Sequence, residues 1–398
     1  MKLAPLSNDV RLILAFTSLR TVSDLFFGMF FVSFIMQNSI SEILLVSKYE
    51  LFVHAALGAG FFMVANWVKK YNKVAAFRMH LLPKAACLVL VALMGSQAVS
   101  YTIPLGILVG FSAALYWSPM HLMVGEKVRA DQMARFTGYR TMVGGITRII
   151  SPVILGLFIT VGSFQEMATA LLIICGIEFV LTLFMKSSMH RSKNNVDYAG
   201  FARCVMRFPI IRNLFTMEIL RGISISGPMG TIITMYAVYM FKTDLNLGIF
   251  TTIFAFVLIA RSFLFGRFAR KPAFKGLLYI AAISSVAGLS LFVAHTTVLT
   301  FLIYNFIWIV AIGTLSEIIE TNMYNLSKSR CVTKDHKTEY FLFRESALTI
   351  GRVVGYGGLG VIGLLGGYEW LQYYMIALIA VIVLIGYYAI RINPHIKG

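Results

Sequence analysis

The sequence predicts an all-α, polytopic membrane protein that crosses the bilayer about twelve times, as two six-helix bundles. The first observation is composition: hydrophobic residues make up 58% of the 398 residues and charged residues only 13%. A water-soluble chain of this length needs far more surface charge to stay dispersed. The second observation is that apolar runs of roughly 20 residues, long enough to cross a bilayer as a helix, recur along the whole chain.

The third observation is a repeat of arginines at a near-constant offset. Arg148 returns as Arg352 and Arg20 returns as Arg221, at offsets of 204 and 201 positions. Flanking arginines repeat in the same way, namely Arg140 as Arg344 and Arg11 as Arg212. Two halves in the same order are therefore expected, and parallel repeats of this kind build one large class of secondary transporters.

The apolar runs place the spans one by one. In the first half they are predicted near residues 12–36, 43–67, 82–99, 102–124, 136–161 and 166–186. In the second half they are predicted near residues 210–240, 246–266, 276–296, 298–324, 340–366 and 370–391. An even number of spans puts both termini on one side of the membrane.

Cationic residues between the spans predict which side that is. Almost all of them follow the even-numbered spans: Lys69, Lys70, Lys73, Arg78 and Lys84; Lys127, Arg129 and Arg135; Arg267, Arg270, Lys271 and Lys275; and Lys328, Arg330, Lys334 and Lys337. The opposite connections hold only Lys48 and Lys242. Since cytoplasmic loops carry the excess of Lys and Arg, we expect a multi-pass protein of the cell membrane with both termini in the cytoplasm.

The longest polar break divides the chain into domains. We expect an N-terminal half over 1–186, a basic cytoplasmic linker over 187–208 and a C-terminal half over 209–398. Within the linker, a plain tethering loop is favoured over an amphipathic surface helix at 198–208.

Several classes of function are excluded or disfavoured by the same residues. The net charge of +18 is scattered in short blocks between apolar runs, not gathered on a face that could bind nucleic acid. The cysteines at 87, 175, 204 and 331 stand alone, so no metal site is predicted. No cofactor motif and no nucleophile–base pair stands out, so the chain is not expected to be an enzyme. No ATP-binding loop stands out either, so it is not expected to be a primary pump.

Short motifs carry a resemblance to a known family. After span two the chain reads Lys69-Lys-Tyr-Asn72-Lys73, which resembles the basic loop motif of the major facilitator superfamily. Lys70 and Lys73 match the basic positions, and Asn72, which tolerates left-handed backbone, replaces a glycine. Lys69 stands where the family has an aspartate, so the charge latch attributed to that acid is in doubt. The second-half counterpart, residues 266–271, is looser.

A second motif lies in span five. Ser151-Pro152-Val-Ile-Leu-Gly156 is similar, in degenerate form, to an element of antiporters in this superfamily, with Pro152 and Gly156 at its matching positions. The resemblance covers essentially the whole chain. It implies that spans one, four, seven and ten line a central cavity, and that the two halves rock about a midplane site to expose it to one side at a time.

Ionisable residues inside the spans are the candidate site. A charge in the bilayer needs a partner or water, and four arginines at matching places in the halves would grip a carboxylate or phosphate: Arg20, Arg221, Arg148 and Arg352. The alternative is that each arginine is neutralised by a neighbour and only fixes helix packing. Tyr116 and Trp117 on span four and Tyr236 on span seven are further candidates for substrate contact.

Two acids are candidates for proton coupling. Asp24 lies four residues after Arg20, and Glu218 lies three residues before Arg221, so each acid shares a helix face with an arginine. In a cavity, an acid beside an arginine can be tuned so that its protonation and substrate binding compete. The alternative is a permanent salt bridge.

The leading hypothesis is a secondary active transporter that moves a small organic solute by alternating access, coupled to protons, with export favoured in the manner of an antiporter. Uptake or exchange of an anionic metabolite is an alternative, and so is a lipid or glycolipid flippase on the same scaffold. We expect the protein to be a monomer whose partners are the solute, the proton and the lipid bilayer.

Overall fold

The computed structural model describes residues 8–70, 72–128, 133–185, 195–268, 274–327, 332 and 336–392, and these residues contain helices and no β-strand. The helices of the first half begin with span one, which consists of an α-helix, a π-helical turn and a second α-helix. The three parts of span one are Asn8–Leu25, Phe26–Phe30 and Phe31–Gln37. Spans two to six are, in order, Glu42–Lys70; Lys73–Met79 with Leu81–Met94; Thr102–Lys127; Met133–Val161; and Phe164–Leu183.

The second half repeats this series after a short helix in the linker, Tyr198–Arg207. Span seven is divided in two, and the other spans are single helices. Their bounds are Pro209–Ile223 with Pro228–Phe241; Asp244–Phe268; Phe274–Ala294; Val298–Leu326; Lys337–Leu365; and Tyr368–Ile392.

Eleven stretches of the described chain are apolar and long enough to cross a membrane. One of them, Lys73–Val124, has 52 residues, which is more than twice the length that one crossing needs. It contains spans three and four, joined by the 3₁₀ turn Gly95–Tyr101, and the two helices pack side by side. The eleven stretches therefore make twelve crossings, and residues 8 and 392 lie at the same end of the bundle. We call this end the terminal end and the opposite one the far end.

Span three begins nine residues before its predicted start, which changes the interpretation of one cation. Lys84 was predicted to lie on the connection after span two, but it lies inside the span with its side chain 1% exposed. Its Nζ atom is 2.7 Å from Oε2 of Glu178 on span six. Because each charge is neutralised by the other, the pair joins two helices inside the first half instead of marking a loop.

At the start of the same span, Asn72 has extended backbone, φ −88°, and caps the helix by accepting from the amides of Val74 and Ala75.

The halves meet along two seams of backbone contact. Span five packs on span eight, where a Cβ built on Gly156 would lie 2.5 Å from the carbonyl oxygen of Asp244 and one built on Gly248 would lie 2.4 Å from that of Pro152. Span two packs on span eleven, where a Cβ on Gly363 would lie 2.6 Å from the amide nitrogen of Leu44. Small residues let helices approach closely in lipid, so Pro152 and Gly156 serve as packing positions between the halves.

Span one is enclosed by protein and is irregular at its midpoint. Of its apolar window 72% of the residues are buried, against 22% in span eight, so span one lies inside the bundle and span eight faces lipid. The π-helical turn starts at Phe26. Span seven is broken at 224–227, and the offset of 201 places this break at 23–26 of span one. The two inner spans therefore lose regular helix at equivalent positions, as transporter helices do near a midplane site.

The break in span seven follows from its sequence. Pro228 starts the second helix and disfavours helical backbone in the residue before it. That residue is Gly227, where a Cβ would lie 2.0 Å from the carbonyl oxygen of Gly222. A proline that follows such a tight approach ends one helix and starts the next.

The linker forms a helix where a tethering loop was favoured, so that prediction was wrong at these residues. Asp197 caps the helix by accepting from the amide of Gly200. Phe201 is fully buried and packs against Phe215 and Phe343 of the second half, whereas Arg203 and Arg207 are exposed. The buried Phe201, with the partly buried Cys204 and Val205, therefore anchors one face of the helix against the second half.

We expect Gly351→Ala to destabilise the protein. A Cβ at this position would lie 2.0 Å from the carbonyl oxygen of Ile219 on span seven, so spans seven and eleven would have to separate, at a cost of about 1–3 kcal/mol. The measurement is the Tm of purified protein in detergent. Gly357→Ala is the matched control, because no atom lies within 4 Å of a Cβ there. Equal Tm values for the two variants would contradict the proposed close packing.

Candidate functional site

Contacts between the halves close the bundle at its far end. Ser33 at the end of span one donates to Asp244 at the start of span eight (2.7 Å), and Gln37 reaches the same carboxylate (3.4 Å). Tyr368 at the start of span twelve donates to Glu42 at the start of span two (3.0 Å). The second halves of spans one and seven also pack together. Water therefore does not reach the midplane through this end.

Inside the bundle, span one presents a narrow accessible stripe. It includes Thr17 and Asp24, which are partly exposed like several apolar residues in the first part of the span, and Gly28, which is exposed in the otherwise largely buried stretch 25–36. A Cβ at Gly28 would meet nothing within 4 Å. Since span one lies inside the protein, this stripe faces a cavity between the halves instead of lipid.

Arg20 is held in place by its neighbours. Its Nε atom is 2.7 Å from Oδ1 of Asp24, and its guanidinium lies over the ring of Tyr116, 5.1 Å from the centroid. The Arg20 side chain is 8% exposed and that of Asp24 is 40% exposed. The acid of this pair, and not the arginine, is thus the group that meets the cavity.

Arg148 on span five points into the same cavity. The lipid face of this helix is defined by the exposed residues Ile146, Ile150, Ile154 and Leu157. Arg148 precedes Ile150 by two residues, which places it roughly 200° around the helix and so away from lipid. The residue is exposed, and its charge lies within electrostatic range of Asp24. Among the described residues it has no hydrogen bond and no ion pair.

Arg352, the counterpart of Arg148 in the repeat, is bound. Its Nε atom donates to the carbonyl oxygen of Ser226 in the break of span seven (2.9 Å). The hydroxyl of Tyr356, one turn further along span eleven, donates to the next carbonyl oxygen, that of Gly227 (3.1 Å). Side chains of span eleven therefore bind two backbone carbonyl oxygens of the break. The same device is missing at Arg148, because span one continues as helix.

Arg221 belongs to a buried network. It lies 3.5 Å from Glu218 on its own helix and donates to the hydroxyl of Ser226 (2.9 Å). The same Glu218 oxygen accepts from Arg344 on span eleven (3.3 Å), and Arg344 also pairs with Glu345. Glu218 is fully buried, so both predicted residues of this group lie behind the cavity wall.

Nearer the terminal end, the cavity wall is acidic and aromatic. Glu320 of span ten is 54% exposed and lies 3.9 Å from Arg221. His121 of span four is 3.9 Å from Glu345 and stacks between Trp117 and Phe341. Arg140 in turn covers Trp117, 5.7 Å from the ring centroid. Glu320 is an exposed acid about two turns from the end of span ten, and we expect water to reach it from the terminal end.

The predicted aromatic contacts lie in different places. Tyr116 is buried beneath Arg20, and Trp117 is half-buried. Tyr236 is buried near the far end, where its ring packs with Phe292 and Tyr368. Of the three, only Trp117 has surface close to the exposed polar residues. A role for Tyr236 in substrate binding stays a prediction without a contact to support it.

Sequence reasoning missed several charged residues of the site: Glu50, Arg344, Glu345 and Glu320. Glu50 had a signal, because it is an isolated acid within the apolar run 43–67 and lies four residues before His54. Arg344 appears in the sequence only as part of the repeat, whereas Glu345 is a candidate partner of Arg352, and the structure places it within electrostatic range of that arginine. Glu320 was missed because the end of span ten was uncertain, and an acid there is equally consistent with a loop.

A buried ion pair joins the halves at the terminal end. Lys69 on span two pairs with Glu339 on span eleven, with side chains 6% and 0% exposed. The linker completes this group, because Lys69 donates to the carbonyl oxygen of Asn195 (3.2 Å) and Glu339 accepts from the amide of Asp197 (2.9 Å). Burial raises the pKa of the nearby Tyr198 phenol, and the charge of Glu339 adds to the rise. We call Lys69, Glu339 and 195–197 the clasp.

The other motif lysines lie beside the clasp. Lys70 is half-buried at the end of span two, and Lys73 is buried at the start of span three. The second-half counterpart, residues 266–271, lies outside the residues whose side chains are described. The clasp therefore occupies the place of the family's aspartate with the opposite charge.

Two further ion pairs lie away from the midplane. Lys84 and Glu178 join spans three and six, and Arg261 pairs with Glu317 (2.8 Å) between spans eight and ten. Each pair neutralises a charge between helices. Over the described part of the chain, no three His, Cys, Asp or Glu side chains come together as metal ligands do.

We expect a cysteine at position 28 to react with a membrane-impermeant thiol reagent applied from the terminal end. Cys87 and Cys175 are buried, so the background needs only Cys204→Ser and Cys331→Ser. Ile150→Cys is the control, since a thiol in lipid forms little reactive thiolate. The measurement is the labelled fraction by mass spectrometry. Equal labelling of Gly28→Cys and Ile150→Cys would exclude the cavity.

We expect Lys69→Glu to lower the Tm, because it places two carboxylates in a buried contact that costs about 3–5 kcal/mol to break. Combining it with Glu339→Lys restores opposite charges and should recover part of the loss. Lys70→Glu makes the same change of charge one residue away and is the control. A double variant no more stable than Lys69→Glu alone would show that the two side chains do not act as a pair.

Comparisons with known proteins agree with this architecture. The sequence profile of a family described as Major Facilitator Superfamily matches residues 13–331. No curated protein sequence gives a significant match.

Solved structures of transporters share the fold. A bacterial homologue of the iron transporter ferroportin in an outward-facing state superposes with a TM-score of 0.68 at 14% identity, covering 98% of this chain and 100% of that one. The nucleoside transporter NupG gives a TM-score of 0.68 at 11% identity, covering 96% and 98%. A bacterial metal transporter gives 0.58 at 14% identity, covering 98% and 99%. At these identities the likeness shows the fold alone.

Proposed function

Because the chain belongs to the Major Facilitator Superfamily and is therefore a secondary transporter and not an enzyme, we propose that it moves a small organic anion across the membrane, coupled to protons. The substrate would carry a carboxylate or a phosphate group. It would bind in the cavity between the halves and be released when they rock about the two seams.

The observation that carries this proposal is the free guanidinium of Arg148. An arginine inside a membrane protein is costly unless a partner or water accepts its protons, and the described residues give Arg148 no partner. A guanidinium presents a planar fork of donors that matches a carboxylate or phosphate. The position therefore suits an anion that arrives from water, and it repels a metal cation.

Asp24 is the proposed proton-coupling residue. It is the half-exposed acid of the cavity, and it lies between the bound Arg20 and the free Arg148. With Asp24 ionised, Arg148 is partly neutralised and attracts an anion weakly. With Asp24 protonated, the full charge of Arg148 faces the substrate. Substrate binding thus favours proton binding in this conformation, and the two must be coupled reciprocally.

Glu218 was predicted as a second coupling residue. Its burial between Arg221 and Arg344 supports a structural ion pair in this conformation, and proton exchange there would need Arg344 to move away. Arg20 and Arg221 are likewise neutralised by Asp24 and Glu218. We therefore propose Arg148 as the substrate contact, while Arg20, Arg221 and Arg352 position the helices around it.

Export is the proposed direction because of the element Ser151–Gly156, which resembles that of antiporters. Its Pro152 and Gly156 form the seam between spans five and eight, the contact about which such halves would rock. Uptake or exchange of an anionic metabolite uses the same site in the other direction, and flux measurements distinguish the two. A flippase remains the alternative for an anionic lipid, whose phosphate Arg148 would also bind.

We expect Arg148→Ala to abolish transport without loss of folding, since the side chain makes no bond that the fold needs. Ile150→Ala is the control on the same helix. A substrate is first identified by thermal shift against carboxylates and phosphates, because a ligand of the folded state raises its Tm. Flux into proteoliposomes is then measured for both variants. Transport by Arg148→Ala at the level of Ile150→Ala would refute the anion site.

Asp24→Asn should uncouple flux from protons. The amide keeps the shape of the side chain but cannot ionise, so Arg148 stays fully charged at every pH. We expect substrate exchange to persist in the variant, while an imposed pH gradient no longer drives accumulation. Flux with and without the gradient measures this. An unchanged response to the gradient would assign coupling to another residue.

A further inference from the structure

Glu50 is a buried acid that the proposed substrate site does not use. It lies on span two, where its side chain is 9% exposed and its Oε2 atom is 3.6 Å from Nε2 of His54. At that distance His54 is not a good hydrogen-bond donor, and Glu50 has no hydrogen bond among the described residues. Nδ1 of His54 is itself buried without a partner. An ionised carboxylate in this environment lacks the donors that it requires.

The residues around Glu50 control the break in span seven. Arg352, which donates to Ser226, lies within electrostatic range of Glu50. The ring of His54 stacks on that of Tyr356 at 5.2 Å, and Tyr356 donates to Gly227 and exchanges a hydrogen bond with Thr231 (2.8 Å). Both backbone acceptors of the break are therefore held by side chains that border Glu50 and His54.

Other charged and titratable groups face Glu50 from each neighbouring span. Span eleven presents Arg352 and Tyr356. Tyr49, next to Glu50 on span two, lies within range of Arg20 and Asp24 of span one and of Cys87 of span three. Span four approaches with Gly106 and Gly110, which contact the backbone of Tyr49 and Val53. Arg352 is the one permanent cation that faces Glu50 from the second half.

We propose that Glu50 is a second protonation site whose charge sets whether span eleven holds the break in span seven. This inference rests on the proposed proton coupling. While Glu50 is neutral, the guanidinium of Arg352 bonds to Ser226, as in this structure. When Glu50 ionises, the guanidinium is drawn to the carboxylate and leaves Ser226, so the break in span seven is free to change its angle. The far end, where spans one and seven meet, can then open.

The repeat supports a division of labour between two acids. Arg148 and Arg352 occupy equivalent positions. Asp24 of span one lies within electrostatic range of Arg148. Glu50 of span two lies within range of Arg352, which is also in range of Glu345, Arg221 and Arg344. Asp24 is half-exposed beside Arg148, so its protonation would affect substrate binding. Glu50 is buried beside Arg352, so its protonation would affect the hydrogen bond from Arg352 to the backbone of span seven. Glu50 is thus a positioning residue, acting through Arg352 and not through the substrate.

The test uses protons as the only ligand. Spin labels on Ile40→Cys and Val298→Cys, both exposed near the far end, report opening between the halves. All four native cysteines are replaced by alanine, and the full chain is placed in nanodiscs of neutral lipid. Distance distributions are recorded between about pH 5 and pH 9, the range over which perturbed carboxyl groups titrate.

We expect the open fraction to rise with pH in the unmodified chain and to stay at its low-pH value in Glu50→Gln at every pH. Glu50→Asp should restore titration, which a purely structural role would not explain. Arg352→Gln should also remove the pH dependence, since it removes the group that responds, and it keeps the test available if Glu50→Gln fails to fold. A Glu50→Gln profile that follows the unmodified one would overturn the proposal.

Asp24→Asn separates this inference from the proposed function. We expect Asp24→Asn to keep the pH-dependent opening, because Glu50 and Arg352 are intact, although it uncouples flux. If Asp24→Asn abolishes opening and Glu50→Gln does not, the inference fails and Asp24 alone accounts for coupling. If flux shows no proton dependence in any variant while opening still titrates through Glu50, the proposed function fails.

Discussion

The structure depends on the cost of placing a charge in a bilayer. Such a charge is costly unless it meets an opposite charge, a hydrogen-bonding backbone or water. Lys84, Arg261 and Arg344 meet acids on neighbouring helices, and Arg352 meets a carbonyl oxygen that the break in span seven supplies. Arg148 meets none of these within the described chain, which requires that water or a ligand reach it. We therefore infer that the cavity lies beside Arg148, the arginine without a partner among the described residues.

The repeat of the two halves explains why the unpaired Arg148 is informative. The two halves were built from the same pattern, so Arg148 and Arg352 began as equivalent side chains. Pro228 starts the second helix of span seven, and two carbonyl oxygens of the break before it accept hydrogen bonds from span eleven, whereas span one has no proline at the matching position and uses a π-helical turn. The second-half arginine became part of the backbone support, and the first-half arginine stayed available. Functional asymmetry thus comes from one difference in local helix chemistry.

Much of the fold could be predicted from the sequence, because length and hydropathy determine spans almost independently of packing. The repeat of Arg148 as Arg352 added the parallel halves. What could not be predicted is which charges neutralise each other. Lys84 was assigned to a loop because its partner, Glu178, is 94 positions away, and helix periodicity does not pair spans. Glu50 stayed unnoticed for the same reason, since its importance depends on Arg352 of the other half. The linker helix was missed because one buried phenylalanine decides it.

The clasp bears on how this chain relates to others that share its architecture. In a relative with the family's aspartate at the end of span two, a positively charged partner in the second half would complement that acid, whereas this chain has a lysine opposite an acid. A hybrid that joined its first half to the second half of such a relative would bring like charges together in a buried contact. Its linker would also lose the amide contact to Glu339. Domain exchange would therefore have to carry residues 69, 195–197 and 339 together.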